Sequence, residues 1–119
     1  MTRIVLALLA LFFLAAPAAA QNTVKWGAIA FGAPDRKTGA AVDLPSAGEA
    51  REAARENCEG ACPRTIVFYG ICAAVAQNES GGLGWASSRW RGRAEARALI
   101  VCQRSGPGCT ITRWACTVH

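Results

Sequence analysis

The chain has a single histidine among its 119 residues, and it is the last one, His119. A Ser–His–Asp or Cys–His set needs an imidazole that the fold holds in place, and a fraying terminus offers none. Zinc would need clustered thiolates in a reducing or metal-guarded setting. Cys-x-x-Cys is missing as well, since the close pairs are Cys58-x3-Cys62 and Cys102-x6-Cys109. Thioredoxin-type chemistry wants the tighter pair at a helix start. Neither G-x-S-x-G nor a phosphate-binding glycine loop occurs. Acidic residues number eight, and Glu49, Glu52, Glu56 and Glu59 of these read as the cap and solvated face of one helix. Past residue 16 no apolar run approaches the roughly 20 residues a membrane span requires.

What is present begins with an export signal. Arg3 precedes an apolar run from Ile4 to Ala16, Pro17 breaks it, and Ala18 to Ala20 supply the small residues of a cleavage site. Residues 1–20 are expected to be a signal peptide, and residues 21–119 a single domain delivered to the periplasm or secreted. The net charge of +5 is unevenly spread. Residues 21–77 hold six Lys/Arg and six Asp/Glu, whereas residues 78–119 hold six arginines against two glutamates. Such asymmetry can steer a molecule toward an anionic partner.

The rest of the chain repeats itself. "AREAARENC" places Ala50, Ala54 and Cys58 at steps of four, and "AEARALIVC" does the same with Ala94, Ala98 and Cys102. At 3.6 residues per turn each set is one stripe of a helix, small enough to lie close against a sheet. Each helix leads through a glycine-containing break and a second cysteine into a β-rich segment with a third. "SAGE" at 46–49 is a capping box, so the first helix is expected from Ala47 to Asn57 and the second from Arg93 to Gln103. Strands are expected at 25–32, 40–44, 65–76, 84–88 and 109–118. The order ββαββαβ predicts an α+β domain with two duplicated β-(β)-α-β units, about 24–77 and 83–119. Two helices would pack on one face of a mainly antiparallel sheet. The core would draw its bulk from Trp26, Ile29, Phe31, Ile66, Phe68, Leu99, Ile111 and Trp114.

Six cysteines in a small exported chain indicate a disulfide framework. Three per half requires at least one bridge between halves. Extended segments separate Cys62 from Cys72 and Cys109 from Cys116, whereas Cys58–Cys62 and Cys102–Cys109 close short helix-end loops. The set Cys58–Cys62, Cys102–Cys109 and Cys72–Cys116 respects the duplication, although six cysteines allow about 15 connectivities. Asn78-Glu79-Ser80 matches a glycosylation acceptor, a motif of little weight behind a bacterial-looking signal.

One surface candidate stands out, "SSRWRGR" at 87–93, followed by Arg97. Interleaved arginine and tryptophan can clamp anions or stack on sugars and bases. Strand alternation would put Arg89, Arg91 and Arg93 on one side, with Trp90 on the other, filling the core. "WGAIAFG", the "EA…C…C" run, "F…CAAVA", "GW" and the terminal "C…W.C" together resemble a family of small exported bacterial proteins, domain of unknown function 4189. The resemblance covers Trp26 to Thr117. It implies a secreted, disulfide-linked module and offers no catalytic residues to carry over; the Arg–Trp cluster is outside the shared pattern.

The expected function is a non-catalytic exported module that binds a protein or cell-envelope component, in the manner of an inhibitor or immunity protein. An envelope-acting hydrolase using acidic residues is one alternative. A binder of anionic surfaces or nucleic acid through Arg89, Trp90, Arg91, Arg93 and Arg97 is another, with nucleic acid the less favoured ligand. No cofactor and no metal is called for.

Overall fold

The computed structural model describes residues 24–32 and 35–117. The expected signal peptide, its cleavage site and His119 lie outside them. Among the described residues no helix is long and apolar enough to cross a membrane. The elements are β1 (Trp26–Phe31), β2 (Thr38–Leu44), α1 (Ala47–Glu56), β3 (Arg64–Tyr69), β4 (Cys72–Gln77), β5 (Leu83–Ser88), α2 (Arg91–Gln103) and β6 (Thr110–Cys116). The class is α+β, as the sequence indicates. α1 opens as its capping box requires, with the Ser46 hydroxyl accepting from the Glu49 amide at 3.1 Å.

The single strand expected over 65–76 is instead two strands, because Gly70 turns the chain at φ +65, a conformation that side chains resist. The one expected sheet therefore becomes two antiparallel sheets, ordered β2-β1-β3 and β5-β4-β6. Each half is a ββαβ unit whose first strand lies in the middle of its sheet. The structural repeat thus runs over 26–69 and 72–116, and its boundary falls at Gly70–Ile71, ahead of the loop at 78–82.

Side-chain alternation along the two central strands stacks four layers. On β4, Ala74 and Ala76 meet Ala94, Ala98 and Cys102 of α2. On β1, Ala28 and Ala30 meet Ala50 and Ala54 of α1. The residues between them, Ile29 and Phe31 on β1 and Ala73 and Val75 on β4, join Phe68 and Ala115 in one cluster between the sheets. The order is helix, sheet, sheet, helix. The helices occupy opposite outer faces, not one shared face, since each sheet already spends its inner face on the other.

The alanine stripes let the helices come down onto backbone. A Cβ added to Gly39 of β2 would strike the Ala54 carbonyl oxygen and the Cys58 amide nitrogen; one added to Gly84 of β5 would strike the same atoms of Ala98 and Cys102. Leucine on either stripe would hold the layers apart. Each helix is then tied covalently at its C-terminal end, by Cys58–Cys62 and by Cys102–Cys109.

The third disulfide, Cys72–Cys116, joins facing residues of β4 and β6. The corresponding pair on the first sheet is Trp26 and Tyr69, whose rings lie 5.1 Å apart. The expected Cys72–Cys116 bridge is therefore present, but with the repeat boundary at Gly70–Ile71 it falls inside the second half and does not link the two. Packing and hydrogen bonds hold the halves together. Gln77, only 2% exposed, donates from Nε2 to the Gly32 carbonyl at 2.8 Å, and its Oε1 accepts from the Thr112 hydroxyl at 2.7 Å. At the edge, the Arg113 guanidinium donates to the Thr38 hydroxyl at 3.0 Å. Replacing Gln77 by Leu should leave the Gly32 carbonyl buried without its donor and lower stability by about 1–3 kcal/mol, read from the urea midpoint. An unchanged midpoint would mean that this link contributes nothing.

Candidate functional site

α2 starts two residues earlier than the sequence pattern suggests, and this rearranges the Arg–Trp cluster. Trp90 is its N-cap in extended conformation, and the Trp90 carbonyl accepts from the Arg93 and Ala94 amides. From Arg91 onward the period is helical, so strand alternation does not sort the arginines. Arg91 and Glu95, four apart, share one flank and form an ion pair at 2.6 Å. Arg93 and Arg97 share another flank. The structure therefore divides the five candidates instead of gathering them on one side.

Trp90 does not fill the core. It is 58% exposed, with the Arg89 guanidinium 5.5 Å from its ring centre. Trp114, another expected core residue, is 42% exposed. It faces Ala74 in the register of β6 on β4, which puts it on the helix side of the sheet. α2 lies mainly over β5 and β4, and so close that no indole fits beneath it. The ring of Trp114 stands beside the helix instead, and the Arg91 guanidinium covers it at 3.4 Å from the ring centre. A guanidinium on an indole face is held by the ring quadrupole while keeping donors free for a ligand. Next to this pair a groove of about 380 Å³ runs along β6, lined by Ile111, Thr112, Arg113 and Trp114.

Trp85 on β5 is 50% exposed, so three of the four tryptophans stand at the surface, all in the arginine-rich half. The start of α2 adds to the positive character. It has no side-chain cap and no acidic residue in its first turn, where Arg91 and Arg93 join the positive end of the helix dipole. Sequence reasoning missed Trp114 because "RW" on a strand reads as packing. The signal that finds it is the depth of the helix–sheet contact, which follows from Gly84 and the alanine stripe.

The remaining candidates resolve plainly. Asn78 of the glycosylation motif is 2% exposed; its Oδ1 accepts from the Ser80 and Gly82 amides and its Nδ2 donates to the Pro107 carbonyl. It latches two loops and presents no acceptor for a glycan. Among the described residues no three His, Cys, Asp or Glu side chains group to hold a metal. All six cysteines are in disulfides.

A family model described as Domain of unknown function (DUF4189) matches residues 26–116. An NMR structure of Rv1813c from Mycobacterium tuberculosis is similar, with a TM-score of 0.59 and 31% sequence identity. The match covers 78% of this chain and 75% of that one. No curated protein matches the chain.

Proposed function

Because the chain belongs to the DUF4189 family, whose description assigns no activity, we propose a role from its own surface: an exported, non-catalytic module that binds an acidic protein or cell-envelope component. The observation that carries this reading is the exposure of Trp85, Trp90 and Trp114 on the basic half, two of them with arginine over the ring. Folding would bury these indoles if it could, and tryptophan and arginine are the side chains that most often anchor a bound partner. The disulfides support export, since such bonds persist in oxidising compartments.

Immobilised, oxidised protein should retain a stoichiometric partner from a solubilised envelope extract. The Arg91→Ala, Trp114→Ala double variant should retain it about tenfold less, or weaker still. Equal retention by the variant would remove this face from the site. Turnover of envelope polymer that disappears on single Glu→Gln changes would favour a hydrolase instead.

A further inference from the structure

The outer face of α2 carries a stripe that the binding reading does not by itself explain. Trp90, Arg93, Arg97, Ile100 and Arg104 follow one another at steps of three, four, three and four, which lines them up along one side of the helix. The buried stripe of Ala94, Ala98 and Cys102 lies on another side. All five residues are exposed, Ile100 at 57%. Fourteen steps at the helical rise make the stripe about 21 Å long. The ion pair found among the described residues uses Glu95 and Arg91, so it takes no carboxylate to this stripe.

The first half supplies an internal comparison on the same scaffold. Aligning Ala50, Ala54 and Cys58 with Ala94, Ala98 and Cys102 puts Ser46, Glu49, Ala53, Glu56 and Gly60 where the stripe has Trp90, Arg93, Arg97, Ile100 and Arg104. At these five positions the first half has two glutamates and no large apolar side chain. The second half has three arginines, an indole and an isoleucine there. Packing requirements are the same for both helices, so the difference is not a consequence of the fold.

We propose that the α2 face docks on an anionic lipid surface, with α1 turned toward water. The inference rests on the binding reading above and names its envelope component. Arginines spaced along an outward helix face meet lipid phosphates, and indole and isoleucine side chains between them enter the headgroup boundary. A face made by one helix suits a broad plane better than a small ligand, which would need a concave site. The acidic α1 face is repelled by the same surface and sets the orientation.

The test uses the oxidised chain from residue 21 with vesicles of phosphatidylcholine alone or with 30% phosphatidylglycerol, a composition chosen at roughly the anionic content that gives a substantial surface potential. Partitioning should rise at least about 25-fold with phosphatidylglycerol and fall with added salt. Arg93→Ala with Arg97→Ala should reduce it about 25-fold, at about fivefold per arginine. Brominated lipid should quench wild-type fluorescence, and Trp90→Phe should remove most of that quenching while leaving the far-ultraviolet dichroism unchanged. Glu49→Ala with Glu56→Ala should not weaken binding.

Partitioning that ignores phosphatidylglycerol, or survives the arginine changes, overturns the proposal. So does equal competition by free glycerol phosphate at matched phosphate concentration, which would mean a headgroup pocket and not a surface. If the vesicle arms fail while the envelope pull-down still yields an Arg91- and Trp114-dependent partner, the lipid proposal falls and the binding reading stands.

Discussion

Reduction of all three disulfides should unfold the protein at room temperature. Closing a loop removes entropy from the unfolded chain as the logarithm of its length. The Cys72–Cys116 bridge spans 44 residues, Cys102–Cys109 spans 7 and Cys58–Cys62 spans 4. In the loop-entropy treatment they contribute about 4, 2.5 and 2 kcal/mol. Together these match the whole stability of a small domain, about 5–15 kcal/mol. The layers they hold have little bulk of their own, because both helix–sheet contacts are largely alanine. Far-ultraviolet dichroism in excess dithiothreitol should show loss of structure. Removing one bridge at a time by paired Cys→Ser changes should rank the losses in urea, with Cys72–Cys116 costing most. A reduced protein that keeps its melting temperature would overturn the view that cross-links replace bulk here.

Adding one methyl group to Gly39 or Gly84 should be a severely damaging small substitution. In both places the obstacle is backbone: at Gly84 the new Cβ would sit 3.0 Å from the Cys102 Cα and closer to the Ala98 oxygen and Cys102 nitrogen. A flexible side chain could turn away, but a helix must shift as a body. Each helix is anchored by a disulfide at the contacted end, Cys58 or Cys102, which limits that shift. Overpacking costs about 1–3 kcal/mol per site, and an unyielding backbone obstacle puts these two at the upper end. Gly39→Ala and Gly84→Ala share no partner, so their losses should add. Gly48→Ala and Gly92→Ala are the controls, since nothing lies within 4 Å of a Cβ at either position. Both are helical and should be neutral or slightly stabilising by helix propensity. Urea midpoints of the four variants settle it: if Gly39→Ala and Gly84→Ala match the controls, the helices do not rest on the strands as described.

The candidate surface was only partly legible beforehand. "SSRWRGR" is visible as a cluster in any reading of the chain. Its arrangement depends on whether residue 91 is strand or helix, and a two-residue shift of that boundary separates Arg91 from Arg93. The stripe of Trp90, Arg93, Arg97, Ile100 and Arg104 appears once helical period is applied from Arg91. Trp114 could not be assigned from local pattern, because its neighbours on β6 read as an ordinary strand. Its exposure depends on how near α2 comes to β5, a distance set by residues elsewhere in the chain.

By itself, the sequence determined the α+β class, the capping of α1, the alanine–cysteine stripes and the family. These are local or periodic features, carried by side chains a few residues apart. Tertiary structure decided that one sheet becomes two, that the repeat is divided at Gly70–Ile71, and that the helices lie on opposite outer faces. It also decided that three tryptophans remain outside. The physical reason is shared. Each central strand can bury both its faces, one against a helix and the other against the second sheet, and that pairing of distant surfaces has no period to read along the chain.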